Sequence, residues 1–321
     1  LIYDNPLKAI IDGFRVYSIW PIVIILIARY VYKDITCNSI DNIMMLAAFS
    51  ILIINLLFLL QNYLNIPFIP EYITKEMVGN VGIHEVYIQI TSHNIGSLFI
   101  IDGYFLSKIL FEEKPNLKTQ LGFFASLLIT IISGRRALWL STLIIFVVCY
   151  FLHPKKIYLA SKNFLILALI FTLMIFFAID YEFSSLVEHI LSAFGSDDER
   201  TIQFDYLLMG IINHPIFGSG FGGFAGYIRN EENPWMYELT YMDNLYHFGI
   251  PLTIALYSIL LFYTIKAIMQ PIKTKGLYLV CIGFGVLNFL IGLWSNPYFG
   301  SFDFLLQLSL LPLLLLRTIH K

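Results

Sequence analysis

Charge is scarce in this chain. Asp, Glu, Lys and Arg make up 13% of its 321 residues, against 58% apolar residues and a mean hydropathy of +0.75. A soluble domain of that length cannot bury so much apolar surface, which excludes an ordinary globular protein. Cysteine is scarcer still: Cys37, Cys149 and Cys281 fall in or beside the ends of apolar runs and suggest neither a disulfide framework nor a metal site. The net charge of −2 gives no footing for a nucleic-acid partner. Short apolar-polar alternation is missing, which removes an outer-membrane barrel, and isolated strands cannot satisfy their backbone in lipid. No convincing internal repeat is found, which counts against a transporter built from paired halves. No signal peptide is visible either. The chain opens in polar, proline-containing sequence, so one or more helices are expected ahead of Leu1.

What the chain has in quantity is long apolar runs. A bilayer core of roughly 30 Å takes about 20 apolar residues as helix. Candidate spans lie near 16–32, 42–62, 92–110, 119–133, 137–152, 163–179, 244–265, 277–294 and 303–316. The expected fold is all-α: a polytopic membrane protein with about nine visible transmembrane helices. Residues 1–179 are read as transmembrane helices with an outer loop at 63–91, 180–243 as a large outer, periplasmic loop with short amphipathic helices, and 244–321 as C-terminal transmembrane helices.

Cation choice gives the orientation. Lysine-rich segments recur at every second boundary, near Lys33, Lys108 to Lys118, Lys155 to Lys162, Lys266 to Lys275 and Lys321, and mark the cytoplasmic side. That face carries 11 Lys and 2 Arg, whereas the opposite face carries 2 Lys and 5 Arg: Arg15, Arg135, Arg136, Arg200 and Arg229. Topology explains the lysines and leaves the outer arginines to be explained. A guanidinium binds phosphate oxygens bidentately and keeps its charge when partly desolvated, so outer arginines at helix ends suit a lipid pyrophosphate. Snorkelling anchors, or partners for nearby carboxylates, are the bland alternative. Arg135 and Arg136 stand apart, because the turn Ser133-Gly134-Arg135-Arg136 is short enough to bring both side chains out where two helices meet.

The stretch 180–243 holds half of the chain's carboxylates, together with Phe221, Phe224, Tyr227, Trp235, Tyr237 and Tyr241. Carboxylates among aromatic faces fit a sugar site, and an interfacial aromatic belt has the same composition. Ile202, Tyr206, Met209 and Ile212 recur at helical spacing, which predicts a short amphipathic helix with Asp197 or Asp198 as N-cap. The stretch Asn213 to Phe224 that follows, NHPIFGSGFGGF, is glycine-rich and could bring amides close to phosphate, but it matches no Walker or dinucleotide pattern and reads as a loop. Asp102 is an intramembrane carboxylate and carries a functional reading by default. His93-Asn94 at the outer start of a span is read as capping or pore lining, and His247, near a helix end, as structural.

Taken in order, Ser133-Gly134-Arg135-Arg136-Ala137-Leu138, Arg200, His214-Pro215-Ile216-Phe217-Gly218-Ser219-Gly220, Glu238 to Tyr241 and Gly249-Ile250-Pro251 resemble the O-antigen polymerase (Wzy) and ligase superfamily of integral membrane glycosyltransferases. The resemblance covers roughly residues 130–255, with an echo at Gly13-Phe14-Arg15-Val16-Tyr17. It implies a GT-C-like helical bundle in the bacterial inner (cytoplasmic) membrane, acting at the periplasmic face on an undecaprenyl-pyrophosphate-linked oligosaccharide within the membrane lipid. The ligase pattern of a His-Asn pair, nine residues and Gly is altered here, where Glu238-Leu239 precedes Gly249. The ligase Arg-x3-Leu element is echoed by Arg200 with Phe204 in the last position. Glutamate in that place is similar to the polymerase branch, and a capsule polymerase of a related kind is equally compatible.

The implied reaction is glycosyl transfer without metal or cofactor. Arg135, Arg136 and Arg200 are expected to hold the donor pyrophosphate, with Arg15 and Arg229 as further candidates. Glu238 is the expected base for the acceptor hydroxyl, and His214, Tyr241 and Asp243 are expected to contact sugar. A salt-bridged structural carboxylate and a plain loop residue stay open for Glu238. A ligase of the same superfamily and a lipid-linked oligosaccharide flippase are the alternatives, and the resemblance implies a separate chain-length regulator as a partner.

Overall fold

The computed structural model describes residues 5–31, 37–64, 66–70, 80–84, 87–91, 93–152, 198–228, 231, 234–272, 274–295 and 308. In chain order the helices are α1 (Leu7–Phe14), α2 (Trp20–Val31), α3 (Cys37–Leu64), α4 (Leu98–Phe111), α5 (Leu117–Ser133), α6 (Arg136–Leu152), α7 (Asp198–Asn213), α8 (Thr240–Ile268) and α9 (Thr274–Gly292). Among the described residues, four helical stretches are long and apolar enough to cross a membrane: Leu7–Leu26, Ser39–Leu64, Asn94–Phe111 and Thr240–Ile268. The shorter apolar helices Leu117–Ser133, Ala137–Leu152 and Gly276–Gly292 occupy three more of the expected spans. The chain is a helical, multi-pass membrane protein. The expected spans at 163–179 and 303–316 lie outside the described residues.

Two differences from the sequence reading have physical causes. The first helix starts at Leu7, nine residues before the expected span, and passes through a π-helical turn at Arg15–Ile19. Pro21 has no N–H to give the Tyr17 carbonyl and its ring crowds that carbonyl, so the ladder widens one turn before the proline. The stretch 63–91, expected as an outer loop, contains a hairpin of β1 (Asn80–His84) and β2 (Tyr87–Thr91), antiparallel, in register Asn80↔Thr91 to His84↔Tyr87.

The chain divides into two compact units. One contains α3 to α6, the hairpin, the end of α8 and α9. Every residue of α4 is buried, making it the central helix of this unit. α4 meets α9 where both backbones are bare: a Cβ on Gly103 would lie 2.6 Å from the Phe284 carbonyl, and one on Gly285 would lie 2.5 Å from the Ile100 carbonyl. Buried polar groups tie the helices. Lys108 of α4 pairs with Asp41 of α3, which also accepts from Tyr104 Oη at 2.7 Å and from Tyr278 Oη of α9 at 2.9 Å. Lys108 Nζ lies 4.5 Å from the Tyr278 ring centroid. Asp102 accepts from Thr130 Oγ1 of α5 at 2.5 Å. Asn116 caps α5 by accepting from the Thr119 N–H at 2.9 Å, and Gly134 ends it in the left-handed region at φ 61°.

The other unit contains α1, the π turn, α2, α7, the segment that follows it, and most of α8. Its small core is Leu207 and Ile211 of α7 against Tyr237, Leu239 and Tyr246.

Candidate functional site

The unit that contains α7 is organised around a break in α8. Gly249 has φ 76° and ψ 169°, a conformation essentially closed to residues with a side chain, and Pro251 follows two residues later. In an unbroken helix the Tyr246 and His247 carbonyls would accept from the N–H of residues 250 and 251. Pro251 has no N–H, and the Ile250 N–H is diverted to the Pro215 carbonyl at 2.8 Å. The loop after α7 fills both vacancies: Ser219 N donates to Tyr246 O at 2.7 Å and Gly220 N to His247 O at 3.0 Å. A stretch of buried, non-helical backbone is thereby satisfied by a second chain segment, which is the condition for tolerating it in a membrane helix.

That bonding assigns the amides of the glycine-rich loop. Gly218 N donates to His214 O at 3.0 Å and Gly223 N to Gly220 O at 3.2 Å, so the amides of residues 218, 219, 220 and 223 are all engaged within the protein. These four amides brace the broken helix and the loop itself.

The first helix leans on the same loop. Asn5 Nδ2 donates to Ser219 O at 2.9 Å, and a Cβ on Gly222 would stand 2.3 Å from the Ala9 Cβ. Tyr17, on the π turn, donates to Asn244 Oδ1 at 3.0 Å and packs against the rings of Phe221 and Phe248. Asn244 is fully buried and passes the connection on, donating through Nδ2 to Tyr257 Oη at 2.7 Å. Tyr17 entered the sequence analysis only within the Gly13–Tyr17 motif and Asn244 did not enter it; polar side chains inside apolar spans are the signal that finds them.

Arg200 and Glu238 meet. Arg200 stands in the first turn of α7, and its Nε donates to Glu238 Oε2 at 3.1 Å, with the two side chains 41% and 23% exposed. The backbone N–H of Glu238 donates to Oε1 of the buried Gln203 at 3.1 Å, one turn along the same helix. Both groups are thus oriented by α7 and both remain reachable from outside. Just before Glu238, Tyr237 is buried in the core and accepts from the Ala225 N–H at 2.8 Å. Burial pushes its phenol up, with the Ala225 N–H acting against the shift, so this ring is a neutral anchor for the Glu238 segment.

The remaining expected residues belong to both units. Asp243 sits in the first turn of α8, with Oδ1 3.2 Å from His247 Nε2. Tyr241 packs on Tyr257 at 4.7 Å between centroids. His214 is exposed at the end of α7, and its carbonyl closes the turn to Gly218. Arg15 is half exposed on the π turn and pairs with Asp12 at 3.1 Å. Arg135 and Arg136 belong to the other unit: Arg135 is partly buried, its carbonyl accepts from Leu138 N and Trp139 N, and Arg136 opens α6. Arg229 lies outside the described residues.

Residues 121–257 match the family model Wzy_C, described as O-Antigen ligase. The likeness is to the O-antigen ligases. The matched segment is less than half of the chain, and it contains Arg135, Arg136, Arg200, the glycine-rich loop, Glu238 and the α8 break. It is consistent with the O-antigen polymerase and ligase superfamily and points to a glycosyltransferase-like function of the ligase or polymerase type. No curated protein matches, and no solved structure matches.

Proposed function

We propose that the chain is a polysaccharide polymerase. It transfers an undecaprenyl-pyrophosphate-linked glycan onto a sugar hydroxyl of another lipid-linked repeat unit, at the periplasmic face of the inner membrane. The observation that carries this reading is the contact of Arg200 with Glu238, two residues 38 apart in sequence, within the segment that matches the O-antigen ligase family. In the reaction the acceptor oxygen bonds to the anomeric carbon of the donor sugar as its proton passes to the Glu238 carboxylate. The bond from that carbon to the pyrophosphate breaks, and its electron pair leaves with the undecaprenyl pyrophosphate. Arg200 stands beside the carboxylate, where a guanidinium can stabilise the charge that develops on the leaving oxygen. Arg135, Arg136, Arg15 and Arg229 are proposed as further holders of the pyrophosphate, and His214, Tyr241 and Asp243 as sugar contacts. The fold is proposed to be of the GT-C kind, and chain length to be set by a separate regulator.

The family description names ligases, and one experiment separates the readings. Cells lacking the gene are supplied with wild-type, Glu238→Gln or Arg200→Lys protein at matched expression, and the surface polysaccharide is resolved by size. A polymerase leaves the single-repeat band in the unsupplied strain, and both variants fail to restore the longer bands. Loss of the single-repeat band in the unsupplied strain means a ligase or a flippase. Full ladders from both variants remove Arg200 and Glu238 from the chemistry.

A further inference from the structure

The reading above leaves a buried histidine without a task. His247 is 8% exposed, and each of its ring nitrogens faces oxygen. Nδ1 lies 2.8 Å from the Gly220 carbonyl, and Nε2 lies 3.3 Å from the Trp235 carbonyl and 3.2 Å from Asp243 Oδ1. Carbonyl oxygens accept and never donate, so it is the imidazolium form, with the Asp243 carboxylate beside Nε2, that donates at both ends. Ser219 Oγ is a further neighbour of Nδ1 at 3.5 Å. The His247 carbonyl in turn accepts from Gly220 N at 3.0 Å, so this residue and Gly220 are joined twice.

One imidazole therefore ties three segments: the loop that braces the helix break, the segment from Trp235 to Glu238, and the first turns of α8. A space-filling residue here would be apolar; it would take the ring's donor from the Trp235 carbonyl and leave the Gly220 carbonyl to the Gly223 N–H. The geometry points to His247 as a positioning residue, which holds the Trp235–Glu238 segment and the glycine-rich loop in register and so sets where the Glu238 carboxylate stands. The inference rests on the reading of Glu238 as the proton acceptor.

The test uses the full chain in lipid nanodiscs, with His247→Phe, which keeps a ring and loses both donors, and His247→Gln, which keeps one donor, should the first not fold. Hydrogen exchange requires no activity. In His247→Phe the amides of Ser219, Gly220 and Glu238 are expected to exchange about tenfold faster or more, with Leu207 to Ile211 of α7 unchanged. Turnover on a lipid-linked repeat is expected to fall about tenfold in kcat, with KM within about twofold. In His247→Ala, added imidazole restores turnover and 1-methylimidazole, with at most one N–H, does not. Unchanged exchange in both segments overturns the inference, as does wild-type kcat in His247→Phe. If the wild-type protein forms no polymer, the polymerase reading fails, and the exchange result alone decides whether His247 ties the segments.

Discussion

Replacing Gly249 with alanine tests the account of the broken helix directly. At φ 76° and ψ 169° a side chain strains the backbone, and the added Cβ would stand 2.2 Å from the Ile216 carbonyl oxygen and 2.9 Å from the Gly218 nitrogen. Both contacts are backbone, so relief requires the loop to move. Movement disturbs Ile250 N to Pro215 O, Ser219 N to Tyr246 O and Gly220 N to His247 O together. Strain of about 1–3 kcal/mol and two or three hydrogen bonds at about 1 kcal/mol each sum to about 3–6 kcal/mol. Pro251→Ala is the matched control: it restores an N–H at 251, but the His247 carbonyl is already served by Gly220, so a change within about 1 kcal/mol is expected. Denaturation in detergent micelles, with hydrogen exchange at Ser219 and Gly220, reads both variants. A Gly249→Ala protein within about 1 kcal/mol of wild type would refute the claim that this loop holds the break.

Two further outcomes concern the other unit. Lys108→Met strands the buried Asp41 carboxylate and is expected to cost about 3–5 kcal/mol of stability; adding Asp41→Asn should recover at least about 1 kcal/mol in the double variant, measured by thermal unfolding. Glu112, just past the end of α4, accepts from Thr119 Oγ1 at 3.2 Å, and burial pushes its carboxyl above the ordinary 4.5, with Lys108 acting against the shift. A raised carboxyl makes the charged form the costly one in the folded protein. Its contribution is therefore full below pH 4.5 and is lost as pH rises through the folded value. The thermal midpoint should decline across that window, and Glu112→Gln should flatten the decline.

The spans were legible because hydrocarbon thickness imposes a length that twenty apolar residues meet and few soluble segments do. The hairpin at Asn80–Thr91 was not, since five-residue strands carry a weak signal, although Val81, Ile83, Tyr87, Ile88 and Ile90 are the residue types that make strands. The π turn was legible in principle. Pro21 announces a missing donor for Tyr17, yet a proline early in an apolar run reads equally as a helix start. α7 was legible from the spacing of Ile202, Tyr206, Met209 and Ile212, and the structure makes it a continuous helix from Asp198 to Asn213.

The site divides along the same line. Arg200 and Glu238 are candidates by the order of motifs, and no periodicity predicts that their side chains touch, because a contact over 38 residues depends on how α7 packs against Tyr237 and Leu239. The glycine-rich stretch is the loop its sequence predicts, but the sequence does not say what its amides serve. Glycines and exposed amides look alike in sequence whether they serve a phosphate or a carbonyl, and here a helix with Gly249 and Pro251 leaves two carbonyls whose donors must come from elsewhere. Reading the two motifs as one feature resolves the ambiguity: the amides of Ser219 and Gly220 complete α8. By the same reasoning, lengthening the loop by one glycine after Gly220 should damage the fold of this unit as much as any change at Arg200 damages turnover, because Ser219 and Gly220 must reach adjacent carbonyls at once.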